Sequence, residues 1–191
     1  MKNIKKLTLS AMFIGLGLVL PFLTMQIPQV GKMLLPMHVP VLLCGLICGW
    51  PYGLLVGCVV PLFRGAIFGT PVFFPSGLAM AFELAAYGLI AGWMYAHAKW
   101  HCLRTLYRSL ITAMIGGRII WGIAMSVILG ASGSMFTFQA FISGAFLTAI
   151  PGIIMQLVLI PAIMVALNKT GMIFFHKEKG KLVKNENRSD N

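Results

Sequence analysis

Three ionisable residues stand inside otherwise apolar sequence: Arg64, Glu83 and Arg118. Glu83 is the first of only four acidic residues, and the other three all lie in the C-terminal tail, at Glu178, Glu186 and Asp190. A charge at the centre of an apolar span costs roughly 2.5–3.5 kcal/mol on insertion scales, so each must face a partner or a wet cavity. One carboxylate facing two guanidiniums leaves an excess of about one positive charge, which a bound carboxylate would neutralise on arginine's planar fork. The structural alternative is an Arg–Glu pair bracing two helices while the other arginine snorkels to the headgroups. Tyr87 follows Glu83 by one helical turn on the same face. His38, Trp121, Gln139 and Gln156 complete the candidate set, and Trp121 could stack on a flat ligand. Singly, each of these also fits a packed or interfacial role; together they imply a polar pocket.

Other chemistries lack their residues. There is no GxxxxGK[ST] phosphate loop and no HExxH. Ser143, in Phe141-Ile-Ser-Gly144, lacks the first glycine of a GxSG site. Cys44, Cys48, Cys58 and Cys102 form no CxxC pair and no metal-ligand spacing. The sequence therefore predicts no metal, no cofactor and no enzyme.

The elements that must position the polar residues are membrane helices. Of 191 residues, 59% are hydrophobic and 10% charged, with a mean hydropathy of +0.90. A soluble domain carries roughly 25% charged residues, so lipid must be the solvent for much of this chain. The apolar part, about Leu7 to Leu167, has room for five to seven spans of ~20 residues. We expect an all-α membrane protein, a bundle of six transmembrane helices. The first runs from Leu7 to about Leu23, retained rather than cleaved as a signal peptide, and a polar loop follows to about Leu35. An apolar run from Pro36 to Phe68 is broken at Gly49–Gly53 into a short second helix and a third. The fourth spans about Ser76 to Ala96 and the fifth Leu106 to Leu129. The last, about Phe136 to Leu167, is long enough to tilt or kink at Pro151 and Pro161. We expect residues 1–168 to form one six-helix transmembrane domain carrying the candidate binding residues, and 169–191 a basic, disordered cytoplasmic tail.

The net charge of +11 is distributed as three clusters: Lys2 to Lys6, Lys99 to Arg108, and the tail from Lys169. That is how orientation signals look, and not the single basic face of a nucleic-acid binder. With both termini cytoplasmic, all three clusters fall inside and little beyond Lys32 falls outside. Gly45-Leu-Ile-Cys-Gly-Trp50 and Gly88-Leu-Ile-Ala-Gly-Trp93 echo each other, although six residues are too few to establish a repeat.

The chain resembles the substrate-binding S components of energy-coupling factor (ECF) vitamin transporters. The resemblance rests on size, six spans, a loop-capped outer pocket and three stretches: Leu9-Ser-Ala-Met-Phe-Ile-Gly15, the run from Leu35 through Pro36-Met-His-Val-Pro40 to Gly53, and Pro151-Gly-Ile-Ile-Met-Gln-Leu-Val-Leu-Ile-Pro161. It implies a bacterial cell-membrane protein that captures a vitamin from outside. Such a subunit docks on a transmembrane coupling subunit driven by two ATPase subunits, and tips to deliver its ligand. The family's docking motif is AxxxA on the first helix; here Ala11 matches and Gly15 replaces the second alanine. The metal-binding branch carries a histidine after the initiator Met, where this chain has Lys2, which argues against nickel or cobalt. The spare positive charge favours an anionic vitamin, pantothenate first, with folate and a pyridoxine-type or flavin ligand open. The alternative functional reading is a self-sufficient carrier or channel for an organic anion; a membrane enzyme or assembly factor ranks behind both.

Overall fold

The computed structural model describes residues 3–24, 36–69, 72–98, 102–131 and 150–169. Among these, the regular elements are six helices: α1 Asn3–Thr24, α2 His38–Cys48, α3 Trp50–Phe68, α4 Leu78–His97, α5 Leu103–Ala131 and α6 Ile150–Lys169. A single wide turn, Phe73–Gly77, leads into α4 and is closed by the Gly77 N–H donating to the Val72 carbonyl at 2.8 Å. All the helices but α2 are long and apolar enough to cross a membrane. The chain is an all-α membrane protein.

Most boundaries fall within a few residues of the expected ones. The break in the second apolar run shrinks to one residue, Gly49, whose φ of 102° an L side chain rarely adopts. Helix α3 restarts at once because Pro51 sits in its first turn, where a missing N–H costs nothing. Residues 136–149 of the expected last helix lie outside the described residues. Pro151 therefore falls in the first turn of described α6, and Pro161 lies inside the helix.

Helix α2 is the core of the bundle. It is apolar on all sides, ten of its eleven residues are buried, and it packs against α1, α3, α4 and α6. A helix hydrophobic all round belongs inside, and at about 16 Å it is too short to span. Helix α5 shows the complementary pattern. Ile111, Ile115, Ile119, Ile123 and Val127 recur every four residues and are all exposed, while Leu106, Leu110, Ala113, Met114, Gly117 and Arg118 are buried. One face meets hydrocarbon and the other the bundle.

Glycines set the register. A Cβ on Gly45 would lie 2.5 Å from the Gly88 carbonyl oxygen, and one on Gly92 2.6 Å from the Gly45 oxygen. The two echoed segments thus pack on each other, with α2 parallel to α4. Helix α3 runs antiparallel to α4, with Gly53 against Gly88 and Gly57 against Leu84. Trp50, which opens α3 rather than closing α2, meets Gly92. Helix α1 meets α2 through Ser10 and Cys44 and α3 through Gly17 and Val60. That order makes α1 parallel to α3, so Lys5 and Lys6 share an end of the bundle with Arg104 and Arg108.

Candidate functional site

Glu83 is the centre of a buried polar cluster drawn from three helices. Its Oε1 accepts a hydrogen bond from the Tyr87 hydroxyl at 3.0 Å and an ion pair from Arg118 Nη1 at 3.1 Å. His38 Nε2 lies 3.8 Å from the same oxygen. Glu83 is 1% exposed, His38 0% and Arg118 5%.

Each member is positioned by its helix. Glu83 and Tyr87 are one turn apart on the inward face of α4, as an i, i+4 pair must be. His38 is the first residue of α2, and its ring meets that of Tyr87 at 5.3 Å between centroids and 59°. Gly117 on α5 is required by the Tyr87 ring, which occupies the space that a side chain there would fill. Arg118 follows it and so reaches across to α4.

Helix geometry fixes the depth. Glu83 lies 14 residues before the end of α4 and Arg118 lies 15 after the start of α5. At 1.5 Å per residue, both stand about 21 Å from the end carrying Arg104 and Arg108. In a ~30 Å hydrocarbon core the cluster thus occupies the half remote from the basic end.

The guanidinium of Arg118 is only half used. Nη1 serves Glu83, while Nε and Nη2, also buried, have no hydrogen-bond partner among the described residues. These two nitrogens form one edge of the planar fork, the edge that matches a carboxylate's two oxygens. Both ring nitrogens of His38 likewise lack a hydrogen bond among the described residues. Buried donors left without acceptors are costly, so an acceptor placed against this edge would be stabilised by it.

The other candidates divide. Arg64 is buried on α3. The Gly57–Leu84 register places it opposite Gly77, six residues beyond Glu83, or about 9 Å farther from the basic end. Gln156 is buried on α6, which packs against α5 and α2. Trp121 is partly buried one turn beyond Arg118. Gln139 and the loop expected to cap the pocket lie outside the described residues. Among the described residues no group of three or more His, Cys, Asp or Glu is placed to hold a metal.

On α1, Ala11 and Gly15 are exposed, and a Cβ on Gly15 would meet nothing within 4 Å. Gly17 turns the other way, into Val60. A small-residue surface on α1 is therefore presented outward.

A cavity of about 390 Å³ lies elsewhere, at the basic end between α4 and α5, lined by Trp93, His97, Thr105, Arg108 and Ser109 among others. Sequence reasoning treated Arg108 as an orientation charge. It could not see the cavity, because the pairing of α4's last turn with α5's first two depends on the packing of the whole bundle.

The chain is thus a helical membrane bundle with a buried ionic cluster displaced toward one face. The family model for the ECF transporter, substrate-specific component, matches residues 5–174, and the chain belongs to that family. No curated protein and no solved structure matches the chain. The protein is thus the substrate-binding subunit of a transporter. Members of this family are transporter subunits rather than enzymes and associate with an ECF module, so the chain is a multi-pass membrane protein that works with one.

Proposed function

We propose that the chain captures a small anionic, water-soluble vitamin, pantothenate first, from outside the cell. The ligand's carboxylate lies on the Nε–Nη2 edge of Arg118. The observation that carries this reading is the buried guanidinium, with one nitrogen on Glu83 and two without acceptors among the described residues. His38 and Tyr87 complete the wall around that oxygen. Arg64, about 9 Å beyond Glu83, offers a second cation to the far end of an extended ligand. Trp121, Gln156 and Gln139 are the remaining candidate contacts. Folate, a pyridoxine-type or a flavin ligand would use the same anchor only through an anionic group.

The capture face is the end remote from Arg104 and Arg108. Positive side chains favour the cytoplasmic side, so both termini are cytoplasmic and the protein sits in a bacterial cell membrane. The open Ala11–Gly15 surface of α1 docks on the coupling subunit, whose two ATPases supply the energy.

The test is uptake into proteoliposomes. Transport of labelled pantothenate should require the ECF module and ATP, while the purified chain alone should bind the vitamin without moving it. Flux by the chain alone would favour a self-sufficient carrier and overturn the reading.

A further inference from the structure

The cavity between α4 and α5 is separate from the Glu83 cluster, about 15–21 Å away along α4, and has its own chemistry. Arg108 stands on its wall, and Arg104 lies one turn earlier on α5, both exposed. His97 Nδ1 lies 2.9 Å from the Trp93 carbonyl oxygen, an acceptor, so Nδ1 is the donor and Nε2 is left for another partner. The His97 and Trp93 rings pack at 4.9 Å and 41°. Ser109 donates its proton to the Thr105 carbonyl at 2.9 Å, so its hydroxyl is committed. The Thr105 hydroxyl lies 3.5 Å from Cys102 Sγ, where either atom can donate. The donors that can face a ligand are therefore Arg108 and, when its ring carries a second proton, His97 Nε2.

No carboxylate among the described residues balances these groups. Glu83 is the sole acidic residue among those described, and it is held by Arg118. The cavity also sits where the spans end, at His97 and Leu103, which is the headgroup level of a bilayer. Trp93 is 52% exposed there, as an interfacial indole is. About 390 Å³ is near the small end of the range for ligand pockets, roughly 300–1,000 Å³. That space suits one headgroup and no acyl chain. The membrane itself delivers a phosphate to this depth, together with an apolar body for Trp93.

We infer that this cavity binds the phosphate of an anionic phospholipid, held by Arg108 and His97 with Trp93 against the glycerol. The site is independent of the vitamin site.

Native mass spectrometry of the full chain released from nanodiscs tests this. The wild type should retain phosphatidylglycerol in preference to phosphatidylcholine. Arg108→Gln should weaken retention at least tenfold, as loss of a charge-assisted hydrogen bond requires. Arg108→Lys should restore part of it. His97→Gln is an independent second variant with the same expected direction, and Lys5→Gln, at the same end but off the cavity, should change nothing. Equal losses in Lys5→Gln and Arg108→Gln would mean diffuse surface attraction and overturn the site. Displacement of the lipid by millimolar inorganic phosphate would make free phosphate the ligand, and would overturn the lipid assignment too.

Discussion

Taking Glu83 and Arg118 out of water costs several kcal/mol per ion, and their attraction offsets this only when the remaining donors and acceptors are also satisfied. Tyr87 does part of that work, donating to the oxygen that Arg118 approaches. Removing the hydroxyl in Tyr87→Phe should lower stability by about 1.5–3 kcal/mol, the range for hydrogen bonds to charged groups. Thermal unfolding in detergent reads this directly; an unchanged midpoint would deny Tyr87 its role. The sequence announced this cluster because charges in apolar sequence must find partners, and the i, i+4 spacing of Glu83 and Tyr87 survives any tertiary arrangement. It could not show which edge of Arg118 is used or that Arg64 stands farther out. Both depend on the register between helices, which backbone contacts at Gly53, Gly57 and Gly88 decide.

Those contacts make α2, α3 and α4 a single packed unit. A methyl group on Gly45 would press on the Gly88 carbonyl at 2.5 Å, backbone that cannot move aside. Gly45→Ala should therefore destabilise the protein by about 1–3 kcal/mol through overpacking, while Gly15→Ala, facing open space, should not. Comparing the two in one unfolding series isolates the packing effect from helix propensity. Gly15 is instead the position where bulk should matter for assembly. Gly15→Trp should leave vitamin binding by the isolated chain intact and reduce co-purification with the coupling subunit at least tenfold. Undiminished co-purification would remove α1 from the docking surface. The helices and the Gly49 break were readable from apolar runs and turn residues. The inward aim of Gly17 and the outward aim of Gly15 were not, since both are small residues on one short stretch.

For the whole molecule, the expected topology has a direct reporter in Cys102. This thiol is exposed, just before α5, in the connection from α4. The Thr105 hydroxyl and backbone, then the charge of Arg104, hold its pKa below the ordinary thiol value. A larger thiolate fraction makes it quick to react with maleimide near neutral pH. A membrane-impermeant maleimide should leave Cys102 unmodified in intact cells and modify it in inside-out vesicles. The reverse pattern would invert the bundle and with it the capture face. At this scale, composition and charge clustering sufficed for the class of protein. They did not show that the helix carrying His38 stays inside the bundle as its core, because an eleven-residue apolar helix and half of a longer span look alike in sequence.

The reading as a whole depends on a ligand carboxylate meeting the free edge of Arg118. Calorimetric titration of wild type and Arg118→Gln, each with pantothenate and with its analogue bearing a carboxamide in place of the carboxylate, measures that contact as a coupling. In the wild type the carboxamide should bind at least tenfold more weakly than pantothenate, as loss of a charge-assisted hydrogen bond requires. In Arg118→Gln the two ligands should bind alike. A carboxylate preference of the same size in both proteins would contradict the account.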